Sequence, residues 1–189
     1  MQVPLIGSGV RGRNKKLSPS ILINAYADVH RNKLGDATLG NTPNLIQFGD
    51  YGSDPCRMLH EVNGILYALI GDKFYEIDSN GAATERGTIP TTVKPKADDN
   101  GSQIAIPIGD GYVYTIATNT VSSISDPDYN PSSSCAFIAQ YLSFIEDGTG
   151  QFFLSDFADA TDFDSLDFAT GESDPDINIS NHQFQGNQW

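Results

Sequence analysis

Short apolar runs separated by tight-turn signals recur along the chain from residue 58 onward. The first series contains four runs, at 58–62, 65–70, 73–77 and 82–89. Asn63-Gly64 lies between the first two runs and is a dipeptide that type I′ hairpin turns prefer. The run ILYALI at 65–70 is apolar on both faces, as in a strand that is covered on both sides of its sheet. This series predicts a four-stranded antiparallel meander.

Two further series follow the first. They contain runs at 103–108, 112–117 and 121–125, and then at 135–139, 141–145 and 151–154. Comparable hairpin turns begin at 63, 109 and 147, with spacings of 46 and 38 residues that are close to the length of a propeller blade. Pro107 would confine its run to a sheet edge or a bulge. No segment has a helical period, so we expect an all-β, β-propeller-like fold of antiparallel four-stranded meanders. Three partial blades do not close a ring, which indicates an incomplete propeller.

The N-terminal region follows a different pattern, because glycine, proline and polar residues interrupt it repeatedly. Short apolar runs at 21–26 and 44–48 predict isolated strands within and just after it. We therefore divide the chain into an irregular N-terminal arm, 1–40, and propeller-like blades, 41–189. We expect the series of blades to be truncated at its C-terminal end. The longest apolar stretch is 65–70, too short to span a membrane.

Charge is distributed unevenly along the 189 residues. All eleven lysines and arginines lie at or before Lys96 with nine acids, whereas the residues from Ala97 onward contain fifteen acids and no base. Nucleic-acid phosphates require lysine and arginine, so the acidic half is a poor direct ligand for DNA. A basic arm could contact phosphate or an acidic protein, although a solvated arm is the simpler interpretation; its residues are Arg11, Arg13, Lys15 and Lys16.

Two cysteines, Cys56 and Cys135, lie 79 residues apart without metal-ligand spacing. A disulfide framework or zinc site built on them is not indicated, and we expect buried, reduced thiols. That expectation fits synthesis in a reducing cytoplasm.

Three patterns suggest chemistry, and each has a simpler explanation. Residues 7–12 match G-x-G-x-x-G but lack the preceding strand and following helix of a dinucleotide site. Five aspartates could hold Ca²⁺, although they do not follow the EF-hand pattern and could equally cap turns or form a solvated loop within 156–176: Asp156, Asp159, Asp162, Asp164 and Asp167. The histidines His30, His60 and His182 accompany no nucleophile motif. We therefore predict no catalytic residue, no cofactor and no metal ligand.

Seven stretches, in this order, carry a family likeness: VPLIG at 3–7, INAY at 23–26, TPNL at 42–45, the hairpin at 62–78, ERGTIP at 85–90, and the segments 97–114 and 136–176. Together they resemble the packaged-DNA stabilisation, or tail-hub, proteins of short-tailed bacteriophages. Members of that family are longer, and this sequence resembles their N-terminal part.

The resemblance implies a non-enzymatic virion protein of the tail. Such subunits form a homo-oligomeric ring below the portal protein, help retain packaged DNA, extend the tail channel and support the needle or tip proteins. DNA would pass through without sequence-specific binding, and no membrane partner is implied. The alternatives are a carbohydrate- or cation-binding β-propeller module and a truncated propeller hydrolase that uses the acidic segment.

Overall fold

The regular elements among the described residues are all β-strands. The computed structural model describes residues 25–29, 37–41, 46–171, 176–184 and 187–188. No helix occurs in these ranges, and so they contain none that could cross a lipid bilayer. Contacts within the chain divide it into two units, residues 1–47 and 48–189.

The first unit contains a two-stranded hairpin. Strands β1 (Ala25–Val29) and β2 (Ala37–Asn41) pair antiparallel. The strand predicted at 21–26 overlaps β1 in its last two residues, and 21–24 lie outside the described residues. The strand predicted at 44–48 is wrong for 46–48, which form no ladder. Ile46 is 89% exposed there, and a short apolar run alone does not specify a strand, because strand formation depends on the tertiary context. The division into an arm at 1–40 and blades at 41–189 stays a prediction.

The first four-stranded sheet confirms the first predicted meander. It contains β3 (Cys56–Val62), β4 (Ile65–Ile70), β5 (Lys73–Ile77) and β6 (Ala83–Thr88), paired in chain order. Asn63 and Gly64 both have positive φ, as a type I′ turn requires. Tyr67 and Leu69 face one hydrophobic cluster, while Ala68 and Ile70 face another. The predicted burial of β4 on both faces is therefore confirmed.

The second sheet contains a strand that the apolar pattern does not reveal. It consists of β7 (Asp98–Asp99), β8 (Gln103–Ile106), β9 (Tyr112–Thr115) and β10 (Thr120–Ser123). The placement of the Pro107 run at an edge or bulge is wrong, because β8 lies between β7 and β9. The strand ends at Ile106, so the proline lies just beyond the ladder, where no backbone N–H is needed.

The third sheet extends further than expected. Its strands are β11 (Ser132–Ile138), β12 (Tyr141–Glu146), β13 (Gln151–Asp156) and β14 (Asp159–Thr170). The expectation of a solvated loop is wrong for β14, since Ala160 and Phe163 are buried and anchor the strand, while most of its acids face solvent. Two-residue strands β15 (Gln183–Phe184) and β16 (Asn187–Gln188) pair near the end of the chain.

Aromatic clusters fill the spaces between neighbouring sheets. Tyr114 of the second sheet contacts the rings of Tyr67 and Phe74 of the first at centroid distances of 5.2 and 5.0 Å. On the other side of the second sheet, the rings of Tyr129, Phe144, Phe153 and Phe163 pack together at 5.2–5.7 Å. The three sheets thus pack face to face in chain order, as propeller blades do.

The two cysteines differ in burial. Cys135 is buried as expected, and burial raises the pKa of its thiol far above the usual range. The prediction of burial is wrong for Cys56, which is exposed at the first residue of β3, where the sheet ends. Both thiols are free.

Two glycines with positive φ in one loop differ in their surroundings. A Cβ added at Gly111 would lie 2.6 Å from the Tyr129 ring and 2.7 Å from Ile124, whereas a Cβ at Gly109 would meet nothing within 4 Å. We expect Gly109→Ala to cost about 1 kcal/mol through backbone strain. Gly111→Ala should cost about 1–3 kcal/mol more, because it also overpacks the core. Urea unfolding of both variants measures the difference, and equal losses would contradict this packing.

Candidate functional site

The first strands of the three sheets meet at a common cavity, which we call the inter-sheet cavity. β3, β7 and β11 are each an edge strand of their sheet, and a parallel bridge pairs Lys96 with Ser134. The cavity has a volume of about 550 Å³, and its lining includes Arg57, His60, Lys96, Asp98, Asn181 and His182. Its walls therefore carry basic, acidic and imidazole groups together.

His60 and Asp99 form the closest side-chain pair beside this cavity. Nε2 of His60 lies 2.7 Å from Oδ2 of Asp99, and both side chains are mostly buried. Alternation along β3 places His60 on the same face as Met58 and Val62, which pack against the second sheet. The contact joins residues of the first and second sheets that are 39 positions apart.

Asp98 links the second sheet to the third. Its Oδ2 accepts a hydrogen bond of 2.7 Å from the backbone N–H of Phe137, and its Oδ1 accepts one of 3.0 Å from the N–H of Asp99. Three potential donor atoms lie within 4.8 Å of one another: a ring nitrogen of His60 and one carboxylate oxygen from each of Asp98 and Asp99. The structure thus brings together three potential metal ligands that the sequence analysis did not select.

Asn181 holds the C-terminal segment against the third sheet. Its side chain is buried, Nδ2 donates to the carbonyl oxygen of Ser143 at 2.6 Å, and Oδ1 accepts from the hydroxyl of Ser134 at 2.9 Å. Because a buried amide needs such partners, this docking fixes the position of the residues that follow. His182 comes next and is exposed at the cavity, with Nε2 3.4 Å from Oγ of Ser180.

A second cavity, of about 460 Å³, lies beside β14, and we call it the acidic pocket. Five aspartates line it together with Phe163: Asp128, Asp156, Asp162, Asp164 and Asp167. Burial, and then repulsion from Asp126 and Asp156, raise the pKa of Asp162. The pocket is therefore a site of unrelieved negative charge.

The structure brings together most of the five aspartates that were considered as possible Ca²⁺ ligands, but these residues have different roles. Four of them line the acidic pocket, and Asp159 does not. Oδ1 of Asp156 accepts the N–H of Phe157 and Oδ1 of Asp164 accepts that of Leu166, as in turn capping. Burial opposes ionisation of Asp159, yet hydrogen bonds from Thr161 and Gln103 lower its pKa. Asp128 could not be grouped with the other acids from sequence, since its neighbours in the pocket are more than 25 residues away along the chain.

The other predicted positions have separate outcomes. Arg11, Arg13, Lys15 and Lys16, the glycine-rich motif at 7–12, and His30 all lie outside the described residues. His60 is paired with Asp99 and His182 is exposed, as expected for histidines without a nucleophile motif.

Comparison with known proteins identifies the family. The family described as Bacteriophage P22 Gp10, beta-propeller, matches residues 1–189. The chain belongs to this family. Membership in the Gp10 family confirms the resemblance found in the sequence and the β-propeller class of the three sheets, and it identifies a bacteriophage stabilisation protein.

Two solved structures that are similar to this Gp10-family chain are distant from it in sequence. One comes from work on PorZ, a bacterial surface component of the type-IX secretion system of Porphyromonas gingivalis. It has a TM-score of 0.49 and 13% identity, over 80% of this chain and 21% of that one. A chain of the mitotic checkpoint complex has a TM-score of 0.43 and 11% identity, over 72% of this chain and 48% of that one. This chain thus spans about a fifth and about half of their respective lengths. No curated protein matches the sequence.

The raised pKa of Asp162 gives a prediction about stability in the Gp10-family chain. A carboxyl whose pKa is higher in the folded state contributes stability below its unfolded pKa of about 3.9, and this contribution is lost as pH rises through the folded pKa. Asp162→Asn should therefore raise Tm at pH 7 and leave it unchanged at pH 3.5, as followed by circular dichroism. Asp110→Asn, at an exposed turn, should change neither. A lower Tm for Asp162→Asn at pH 7 would contradict the repulsion.

Proposed function

We propose that the chain is a structural component of a phage tail hub that binds below the portal, retains packaged DNA and extends the tail channel. The observation that carries this proposal is the family match over residues 1–189. The proposed role is non-catalytic, and it places the protein in the virion tail after synthesis in the cytoplasm of the host. The proposed partners are the portal protein, the needle or tip proteins and further copies of the chain in a ring.

The charge distribution supports a channel role. The described residues 98–171 and 176–183 include many acids but no lysine or arginine. Strand β14 by itself presents three exposed acids: Asp162, Asp164 and Asp167. Negative surfaces repel DNA phosphates, so a channel lined in this way would let DNA pass without adhering. We therefore assign the exposed acids of this half to contact with DNA during passage, and the exposed apolar side chains at its open sheet edge to attachment.

Edge strand β14 supports assembly with neighbours. Leu166 is 79% exposed and Phe168 is 53% exposed on this outermost strand of the third sheet. Exposed apolar side chains beside an open sheet edge are typical of surfaces that a partner covers. A neighbouring subunit of the ring is the occupant that this function calls for.

DNA retention is the direct test. DNA-filled heads of the encoding phage that lack this protein should leak their DNA. The same heads should retain more of it once the purified chain is added. Sedimentation should show the chain bound to isolated portal rings. Leu166→Asp/Phe168→Asp should weaken retention if ring contacts use β14, whereas Ile46→Asp, exposed in the other unit, serves as the control. Undiminished leakage and no portal binding would overturn the proposal, and glycan binding in their place would favour the carbohydrate-binding alternative.

The basic arm is the proposed docking element for an acidic surface of the portal. Exposed charge pairs contribute about 0.2–1 kcal/mol each and are screened by salt. Lys15→Ala/Lys16→Ala and Arg11→Ala/Arg13→Ala should each weaken portal binding by about 2- to 20-fold in 50 mM salt. The loss should disappear in 500 mM salt. Lys94→Ala/Lys96→Ala removes two exposed bases outside the arm and should have little effect. Portal affinity that does not change with salt would exclude docking through charge.

A further inference from the structure

A cluster of mixed nitrogen and oxygen donors lies at the wall of the inter-sheet cavity. His60 comes from the first sheet, and Asp98 and Asp99 come from the second, with one donor atom of each residue within 4.8 Å of the others. We propose that these three side chains bind a single divalent transition metal ion of the zinc type.

The donor atoms are close to the spacing that such an ion requires. Zinc binds histidine nitrogen and carboxylate oxygen at about 2.0–2.2 Å, so tetrahedral ligand atoms are about 3.4 Å apart. The His60–Asp99 pair at 2.7 Å is a hydrogen bond that would open by less than about 1 Å on metal binding. The remaining separations, up to 4.8 Å, would close around the ion.

Backbone donors already orient both carboxylates. Asp98 accepts the N–H of Phe137 through Oδ2, and Asp99 accepts the N–H of Gly101 through Oδ1 at 2.8 Å. The second oxygen of Asp99 is thereby aimed at His60. Such outer contacts are a regular feature of metal sites, because they hold the ligands before the ion arrives. They reduce the ordering cost of binding.

Burial and charge also favour a divalent ion at this position. The His60 and Asp99 side chains are 17% and 20% exposed, so the pair is partly removed from water yet reachable through the cavity of about 550 Å³. Two carboxylates and a neutral imidazole carry two negative charges, which a divalent cation neutralises. When Nε2 of His60 binds the ion, its proton moves to solvent or the ring adopts the tautomer protonated at Nδ1.

The composition of the donor set selects the class of metal. Imidazole together with carboxylate suits zinc and neighbouring transition metals, whereas calcium prefers six to eight oxygen donors. The acidic pocket offers carboxylates alone, and no further observation there points to a bound ion. Three protein ligands would leave a tetrahedral ion one further position for a water molecule.

Metal titration of the 189-residue chain tests this site. Isothermal calorimetry with Zn²⁺ should show one equivalent bound, and Co²⁺ should give the visible absorption bands of a low-symmetry nitrogen–oxygen site. His60→Ala and Asp99→Asn should each weaken Zn²⁺ binding by about 10- to 100-fold or abolish it. Asp98→Asn, which preserves side-chain shape and the acceptor for Phe137 N–H, should also weaken binding. Thermal unfolding in EDTA verifies that each variant is folded.

Two controls separate this site from other sources of binding. His182→Ala removes an exposed histidine at the same cavity, and Asp162→Asn removes a carboxylate of the acidic pocket; both should bind Zn²⁺ as the parent chain does. Binding that survives both His60→Ala and Asp98→Asn would overturn the proposal. Zn²⁺ binding that is abolished only by Asp162→Asn or only by His182→Ala would also overturn it. Binding of Ca²⁺ without binding of Zn²⁺ would do the same.

Discussion

Burial of both faces of the middle sheet, β7 to β10, is the constraint on which the rest of the structure depends. Ile104 and Ile106 of β8 face the first sheet, whereas Ala105 between them faces the third. On β9, Tyr114 and Val113 divide in the same way. Since side chains alternate along a strand, the middle sheet contributes to two hydrophobic cores at once. Loss of its packing would expose the inner faces of both neighbouring sheets.

Stacking of the sheets also produces the chemistry at their edges. Face-to-face packing turns β3, β7 and β11 toward one side, where the Lys96–Ser134 bridge and the Asp98–Phe137 hydrogen bond join the second and third sheets. An edge strand with exposed backbone groups invites pairing with other chains. β7 limits that risk, because it has only two residues and both are acidic. The residues that blunt this edge are the same ones that place carboxylates beside His60.

The parts of the fold that follow from local sequence could be predicted. Asn63-Gly64 specifies its own turn, and the continuous apolar run of β4 identifies a strand buried on both faces. β7 could not be found in this way, because two aspartates have no strand pattern and pair only through their position beside β8. The sequence of β14 suggests a loop, because its frequent acids obscure the inward positions Ala160 and Phe163.

The candidate sites show the same limit. Four aspartates of the acidic pocket are near each other in sequence, so their convergence could be anticipated, whereas His60 and Asp99 meet across 39 residues. No pattern in a single sequence indicates such a pair, because it results from how two sheets stack. The predicted burial of Cys56 is wrong for a related reason. Its apolar neighbours predict burial, but its position at the end of an edge strand leaves it exposed.

The outermost strand of the third sheet combines two opposing properties. Its apolar side chains Leu166 and Phe168 gain from being covered, while the acids beside them resist any cover that lacks positive charge. Burial, and then repulsion from neighbouring carboxylates, already raise the pKa of Asp162, so a further acidic surface there would increase the repulsion. A partner that covers β14 must therefore bring both apolar area and basic groups. Every lysine and arginine of this chain lies in residues 11–96, so that part of the sequence alone carries the basic groups that such a partner would need.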